Sequence, residues 1–353
     1  MQKGTVSFSR HAGNLFFHLL TQCNLTCRHC YINPDQHGRK MLPREAVTGR
    51  LGLFARRMNQ SACGPNLVLL GGEPSLHPDL PAIIRSARSL GYASITVDTN
   101  GYLFHDLLNR ITPAELDVIS FSLDGPDPKT NDAMRGEGVF ETCVAGLRRA
   151  VAAGFSTSLI YTVSRANIHE LHRMPSLLET WGVDRFFIQV IGIRGNSAGS
   201  GDKLQVRREE WMAAVPPVAE DAANRGIFVS YPRVFLEKGE KFECAAVCAD
   251  NYFIFPNDRV YRCPLCEDFP IHAHEITAGE KPGTLRLADR PPITEKDLFR
   301  LHIPEGCVMN RLIQPDNLPS PGADGGVPSR VACCMLKQEV KPSRCVSRFR
   351  ESA

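Results

Sequence analysis

No stretch of this chain approaches the ~18 consecutive apolar residues that cross a bilayer, so no membrane-spanning helix is expected. Charge of one sign is not in excess either. The 41 Lys and Arg against 38 Asp and Glu leave a formal +3, which excludes the broad basic field of a nucleic-acid binder and gives no membrane surface as a partner. The first residues lack the basic-then-apolar pattern of a secretory signal, and a cytoplasmic location is expected. Also missing are a Gly-Lys loop to cradle phosphates and a Ser/His/Asp arrangement, so neither P-loop nor triad chemistry is indicated.

What the chain has in quantity is cysteine, 13 in 353 residues. Without a secretory signal, that many thiols point to metal ligation rather than disulfides. The densest group is Cys23-Asn24-Leu25-Thr26-Cys27-Arg28-His29-Cys30, directly after the apolar run 14–20. A strand is expected to end here and open into a loop of soft ligands, whose short fixed spacing suits zinc or an iron–sulfur cluster. A zinc knuckle of Cys23, Cys27, Cys30 and His29 is one outcome. The other is a four-iron cube held by three cysteines, which leaves one iron open to a further ligand.

Up to about residue 225, short apolar runs alternate with longer amphipathic ones. Strands are expected at 14–20, 67–70, 94–97, 118–122, 158–163 and 185–190, and helices at 43–58, 80–90, 103–109, 140–153, 168–181 and 209–225. Gly91, Gly154, Gly182 and Gly226 each separate a helical pattern from an apolar one, as glycine does when it closes a helix in the left-handed conformation. Alternation of this kind implies an α/β fold with parallel strands. Strands as uniformly apolar as Leu67-Val68-Leu69-Leu70 are buried on both faces. Six units are too few for an eight-unit barrel; a doubly wound sheet or a partial barrel remains.

The C-x3-C-x2-C loop after a strand, followed by Gly71-Gly72-Glu73-Pro74 after the next, resembles the radical S-adenosylmethionine (SAM) enzymes. The resemblance implies a partial (β/α)6 barrel over residues 1–225, with the site at the C-terminal ends of the strands. It further implies a [4Fe–4S] cluster on Cys23, Cys27 and Cys30 whose open iron binds SAM. SAM is then cleaved to a 5′-deoxyadenosyl radical that takes hydrogen from a substrate. In such enzymes Gly71, Gly72 and Glu73 would meet the SAM amino group, and Ser122 and Asp124 its ribose. Arg135 would pair with its carboxylate, Asn100 would lie beside it, and His29 would stand where a ring usually meets adenine. From the residues alone, two glycines let a ligand approach the backbone, strand alternation puts Ser122 and Asp124 on one face, and a guanidinium suits a carboxylate. Gln189, ending the sixth strand, is expected to face the mouth.

Beyond residue 225 the rhythm breaks, and residues 226–353 read as a small Cys-rich domain. The runs 251–256 and 259–262 flank Asn257-Asp258 and are expected to form a hairpin. Cys248, this hairpin, Cys263 and Cys266 resemble the SPASM or twitch extension of radical SAM enzymes, which holds an auxiliary [4Fe–4S] cluster; Asp258 stands where a glycine is usual. The tight four-cysteine run of SPASM is missing. The expected ligands are Cys248, Cys263, Cys266 and Cys307, with Cys244, Cys333 and Cys334 as alternates, and a zinc site of four thiolates is the other outcome. Residues 314–329 read as loop and the basic end of the chain as a loose tail.

The resemblance implies a peptide or protein substrate, with a tetrapyrrole or other small molecule as the alternative, and a ferredoxin- or flavodoxin-like electron donor. The stretch ahead of the first apolar segment is expected to be too short for a leader-peptide-binding domain, a function that a partner chain could supply. A non-catalytic metal-binding protein that kept the fold is a third reading, against which Gly71, Gly72, Glu73, Ser122 and Asp124 are all present.

Overall fold

Two faces of one sheet organise the described residues. The computed structural model describes residues 12–58, 64–192, 194–198, 204–237, 239–267, 269, 271–290, 307 and 332–342. Its strands are β1 (Gly13–His18), β2 (Pro65–Leu70), β3 (Ser94–Thr99), β4 (Val118–Ser122), β5 (Thr157–Val163), β6 (Arg185–Val190), β7 (Phe228–Pro232), β8 (Asp250–Ile254), β9 (Arg259–Tyr261), β10 (His274–Ala278), β11 (Leu285–Asp289) and β12 (Lys337–Val340). They form a sheet in the order β11-β10-β9-β8-β1-β2-β3-β4-β5-β6-β7-β12. β1 to β7 run parallel, β8 joins β1 in parallel, and β12 lies antiparallel on β7. The helices are α1 (Pro34–His37), α2 (Arg44–Met58), α3 (Leu80–Ser89), α4 (Leu107–Arg110), α5 (Pro128–Arg135), α6 (Val139–Ala152), α7 (Met174–Trp181), α8 (Arg208–Asn224) and α9 (Ala245–Cys248).

Period-two alternation assigns each strand residue a face. Leu15 and Phe17, Leu67 and Leu69, Ile95 and Val97, and Ile119 and Phe121 join the apolar core shared with the helices. Their alternates Phe16, Val68, Thr96, Ser120, Ile160 and Phe187 line cavities on the other, concave face. That face carries Ser, Thr, Asp and Gln among its apolar groups, and it is where the site lies.

All six expected strands form, within a residue or two at their ends, so the α/β reading with a mostly parallel sheet holds. Two expected helices differ. Only α4 forms in the segment 103–109, because Leu103, His105 and Asp106 have φ of 51, 57 and 50°, a left-handed backbone that no helix continues. The segment 168–181 divides into a 3-10 turn at Ile168–Arg173 and α7, with Pro175 in its first turn. Proline lacks the amide that would join the two pieces. The expected reading lacked α5 and β7. The boundary expected at 225/226 is crossed by the sheet, since β7 pairs with β6 and β8 with β1.

The expected hairpin is β8–β9, pairing Phe253 with Tyr261 and Ile254 with Val260. Asp258 takes φ 67° in the turn. Its carboxylate accepts Arg50 Nε at 2.7 Å and Nη2 at 2.8 Å, so α2 holds the position where a glycine was expected. The segment 314–329, the basic tail, Cys63 and Cys345 lie outside the described residues.

Candidate functional site

The cysteine loop is fixed by backbone contacts from three directions. Gly72 N donates to Leu20 O and Glu73 N to Gln22 O, both at 2.9 Å. A Cβ on Gly72 would sit 2.2 Å from Gln22 O, so glycine is required for the β2 loop to pack against the cysteine loop itself. Arg28 N donates to Met134 O at 2.9 Å, tying the loop to α5. Asn196 donates from its backbone N to Cys30 O and from Nδ2 to Cys27 O, each at 2.9 Å.

Cys23, Cys27 and Cys30 line a cavity of about 300 Å³ at the C-terminal ends of the parallel strands. Gly71, Gly72, Glu73, Asn100, Ser122 and Arg135 line it too, and so do His29 and Gln189. Asp124 does not; it is fully buried behind the wall. Its Oδ1 accepts Thr162 N at 2.7 Å, while Oδ2 meets Arg135 Nε at 2.6 Å and His29 Nε2 at 3.2 Å. The expected ribose ligand and the expected carboxylate ligand are thus an ion pair in this structure, carried by β4's end and α5. Asn131 Oδ1 accepts Asp124 N and Asn167 Nδ2 donates to Asp124 O, which fix the turn around it.

Glu73 is also buried, and burial raises its pKa. Its Oε1 accepts Ser75 N, Ser75 Oγ and Thr99 Oγ1 at 3.0, 2.5 and 2.8 Å, and its Oε2 accepts Asn100 N at 2.7 Å. Oε1 thus carries three donors and Oε2 one, and Glu73 is part of the cavity wall. Asn100 Nδ2 donates to Asn24 Oδ1 at 2.8 Å and lies 3.9 Å from Cys23 Sγ. Burial lowers the His29 pKa, and His29 Nδ1 is buried with no hydrogen-bond partner.

Several residues absent from the sequence reading also meet here. Asp98 of β3 lines the cavity, with its pKa raised to about 7 by burial and by Glu73. A carboxylate inside an apolar strand was its signal. Lys337 of β12 donates from Nζ to Gln189 Oε1 at 2.7 Å and lies 4.7 Å from the Phe187 ring. Burial lowers its pKa to about 8. Nothing local marked Lys337, since its place depends on β12 pairing with β7. At the opposite wall Arg194 packs over Tyr31 and pairs with Glu267 at 3.0 Å.

The Cys-rich segment packs beside this cavity. Cys263, Cys266, Cys307 and Cys333 belong to one buried cluster; Cys248, half-buried at the end of α9, is not among them. Cys333 Sγ accepts Ala245 N at 3.4 Å and the Cys244 thiol, with Cys263 close by. Cys334 faces the first cavity.

Residues 18–178 match the family model described as the radical SAM superfamily. That matched stretch runs from the end of β1 into α7 and holds the cysteine loop. The chain is 30% identical over 222 residues to the pre-heme d1 synthase of Dinoroseobacter shibae, covering 60% of this chain and 52% of that protein. The chain therefore spans about half the length of that relative. A probable GTP 3′,8-cyclase of Saccharolobus solfataricus is 28% identical over 285 residues, covering 77% of this chain and 89% of that one. Among solved structures, anSMEcpe with bound AdoMet and Cp18Cys peptide superposes with a TM-score of 0.57 at 15% identity, over 92% of this chain and 94% of that one. SuiB of Streptococcus suis bound to its precursor peptide SuiA gives 0.56 at 15%, over 71% and 59%. The likeness to these solved structures shows the fold, and the family matched over residues 18–178 uses a [4Fe–4S] cluster and SAM.

The residues present fit that pair of cofactors. Three thiols, a hydroxyl, an amide and the unpartnered His29 Nδ1 share one cavity. Among the described residues no three His, Cys, Asp or Glu side chains converge on a single ion. A four-iron cube does not require that, because each thiolate binds a different iron.

Proposed function

We propose that this chain is a radical SAM enzyme in which Cys23, Cys27 and Cys30 hold the [4Fe–4S] cluster and Gly71, Gly72, Glu73, Asn100, Ser122 and Arg135 bind SAM. The observation that carries this reading is that all of these residues border one cavity at the strand ends. Bound there, the cluster and SAM supply a 5′-deoxyadenosyl radical that takes a hydrogen atom from substrate. The chain's own part is to position and to exclude water. Glu73 ties the loops after β2 and β3 into one wall and offers Oε2 to an ammonium. Asp124 keeps the Arg135 guanidinium charged and aimed, and His29 completes that group. The apolar rings of Phe16, Phe187 and Phe253 also bound the cavity.

For the substrate we propose a peptide or protein group reaching in past the Cys-rich segment; the fold likeness to structures solved with peptides supports this reading. A tetrapyrrole or other small molecule is the second reading, supported by the names of the sequence relatives. We further propose an auxiliary [4Fe–4S] cluster in the Cys-rich segment. Contacts among Cys244, Cys263 and Cys333 support these three as ligands beside Cys248, Cys266 and Cys307. A cytoplasmic setting and a ferredoxin- or flavodoxin-like donor complete the proposal.

One anaerobic experiment tests both parts. The native protein, reconstituted with iron and sulfide and reduced, is expected to convert SAM to 5′-deoxyadenosine, faster with peptides than with porphyrins. The Cys23/Cys27/Cys30→Ala triple variant is expected to make none yet to retain about four irons with matching sulfide. A fully metallated native protein that leaves SAM intact removes the enzyme reading; loss of all iron from the triple variant, with zinc bound instead, removes the auxiliary cluster.

A further inference from the structure

The concave face holds a second cavity, of about 70 Å³, deeper along the strands than the first. Phe16, Asp98, Ile160 and Phe187 line both cavities. Of these four only Asp98 can carry a proton. The second cavity's wall has Thr96, Ser120, Ser158 and Ser230, contributed by β3, β4, β5 and β7, standing among Val68, Val118 and Phe228. Thr96 Oγ1 is buried there without a hydrogen-bond partner. A water needs about 10–15 Å³ of such volume and two or more polar partners. A cavity of about 70 Å³ therefore has room for a short file of waters, and the hydroxyls supply the partners. Its far end is bordered by Arg185 and by the exposed Glu339 of β12, at the solvent.

Asp98 is poised between the two spaces. Ser120, its register partner on β4, donates a hydroxyl to its carboxylate. The charged and titratable groups around it are Glu73 from the β2 loop, Tyr31 from the cysteine loop, Lys337 in the first cavity, and Arg185 and Glu339 in the second. Burial and Glu73 bring Asp98 to about 7, where a carboxyl both takes and releases protons at neutral pH.

We propose that Asp98 is a proton gate: its carboxylate takes a proton from a substrate heteroatom in the first cavity and passes it to water held among the hydroxyls of the second. The proposal rests on the hydrogen-abstraction reading above. Loss of a hydrogen atom from a carbon bearing O–H leaves a radical whose O–H is far more acidic than before. In the step, the O–H bond of that neutral carbon radical breaks and its proton bonds to a carboxylate oxygen of Asp98. The products are the radical's alkoxide, which keeps the O–H electron pair, and the Asp98 carboxylic acid. The acid then returns its proton to water, giving the carboxylate and hydronium, and nothing is oxidised or reduced. The hydroxyl-lined chamber gives the proton a path from Asp98 toward the solvent beside Glu339. The substrate class implied has an O–H or N–H on the carbon that is attacked.

Infrared spectroscopy of the full, anaerobically reconstituted chain tests this without a substrate. Native protein is expected to show a carboxylic-acid C=O band that titrates at about 7. Asp98→Asn loses that band and Asp98→Glu retains one. On transfer to heavy water the native band shifts at once. Ser230→Leu, which fills the chamber, delays the shift; Ser158→Leu is the second such variant should the first not fold. A band that survives in Asp98→Asn overturns the proposal, and so does prompt exchange in the folded leucine variants. Neither readout needs SAM cleavage, so a protein that passes both yet makes no 5′-deoxyadenosine overturns the enzyme reading and with it the substrate's part in the proposal, while exchange of the Asp98 proton through the chamber stands.

Discussion

Asp124 and Arg135 show how a residue's chemistry depends on what it faces. As a strand-end carboxylate and a helix-end guanidinium they read as two separate ligands. Folded, they form a buried pair at 2.6 Å, with side chains 0% and 8% exposed. A buried pair broken on one side leaves an uncompensated charge, which costs about 3–5 kcal/mol. Asp124→Asn keeps the shape and an acceptor for Thr162 N but strands the guanidinium. The variant is expected to lose about 3 kcal/mol in urea unfolding, and a loss below about 1 kcal/mol would show that Arg135 is paired or hydrated some other way.

At the scale of elements, the loops after β2 and β3 and the helix α5 hold the cysteine loop as one unit. Gly72→Ala puts a methyl 2.2 Å from the Gln22 carbonyl, a backbone atom that cannot swing aside. The expected outcome is a cysteine loop pushed off α5 and Asn196. Amide exchange across 21–30 should rise and iron in the SAM-binding cluster should fall, while exchange in β3 and β4 stays as in the native protein. Unchanged exchange in the loop would mean that the contact yields. α5 had readable signals: Asp127 accepts Thr130 N as an N-cap, and Pro128 takes the first helical position. It went unread because its short Lys-Thr-Asn-Asp sequence has no apolar period, which here is replaced by capping and by Asn131 binding the Asp124 turn.

At the scale of the molecule, the Cys-rich segment is joined to the parallel strands by a buried stack. Phe255 lies 3.9 Å from His18 on one side and 3.9 Å from His37 on the other. His18 meets the Ile254 carbonyl and the Tyr31 hydroxyl, and His37 the Glu267 carbonyl. Burial lowers these imidazoles to about 3 and about 4. Both folded values lie below the unfolded value of about 6.5. Above that value neither state binds the proton, and stability is full. Between about 6.5 and 4 the unfolded chain binds protons that the fold refuses, so stability falls as the pH falls. Each histidine should cost about 2 kcal/mol by pH 5. Urea midpoints at pH 7.5 and 5 check this, with His37→Phe expected to roughly halve the difference; a midpoint that stays put would mean the stack opens to accept the proton.

The sequence by itself determined the strand-helix rhythm, the cysteine loop, the Gly71-Gly72-Glu73 turn and the β8–β9 hairpin. Each is written in local chemistry: glycine closing helices, apolar runs bounded by turns, thiols at fixed spacing. Only the tertiary structure decided which groups meet. Asp98 and Ser120 face one another because β3 and β4 pair in one register. Lys337 reaches Gln189 because β12 returns to the edge of β7 across more than a hundred residues of chain. Cys333 joins Cys244 and Cys263 for the same reason. Such meetings depend on pairing between distant strands, and no local spacing encodes the register in which they settle.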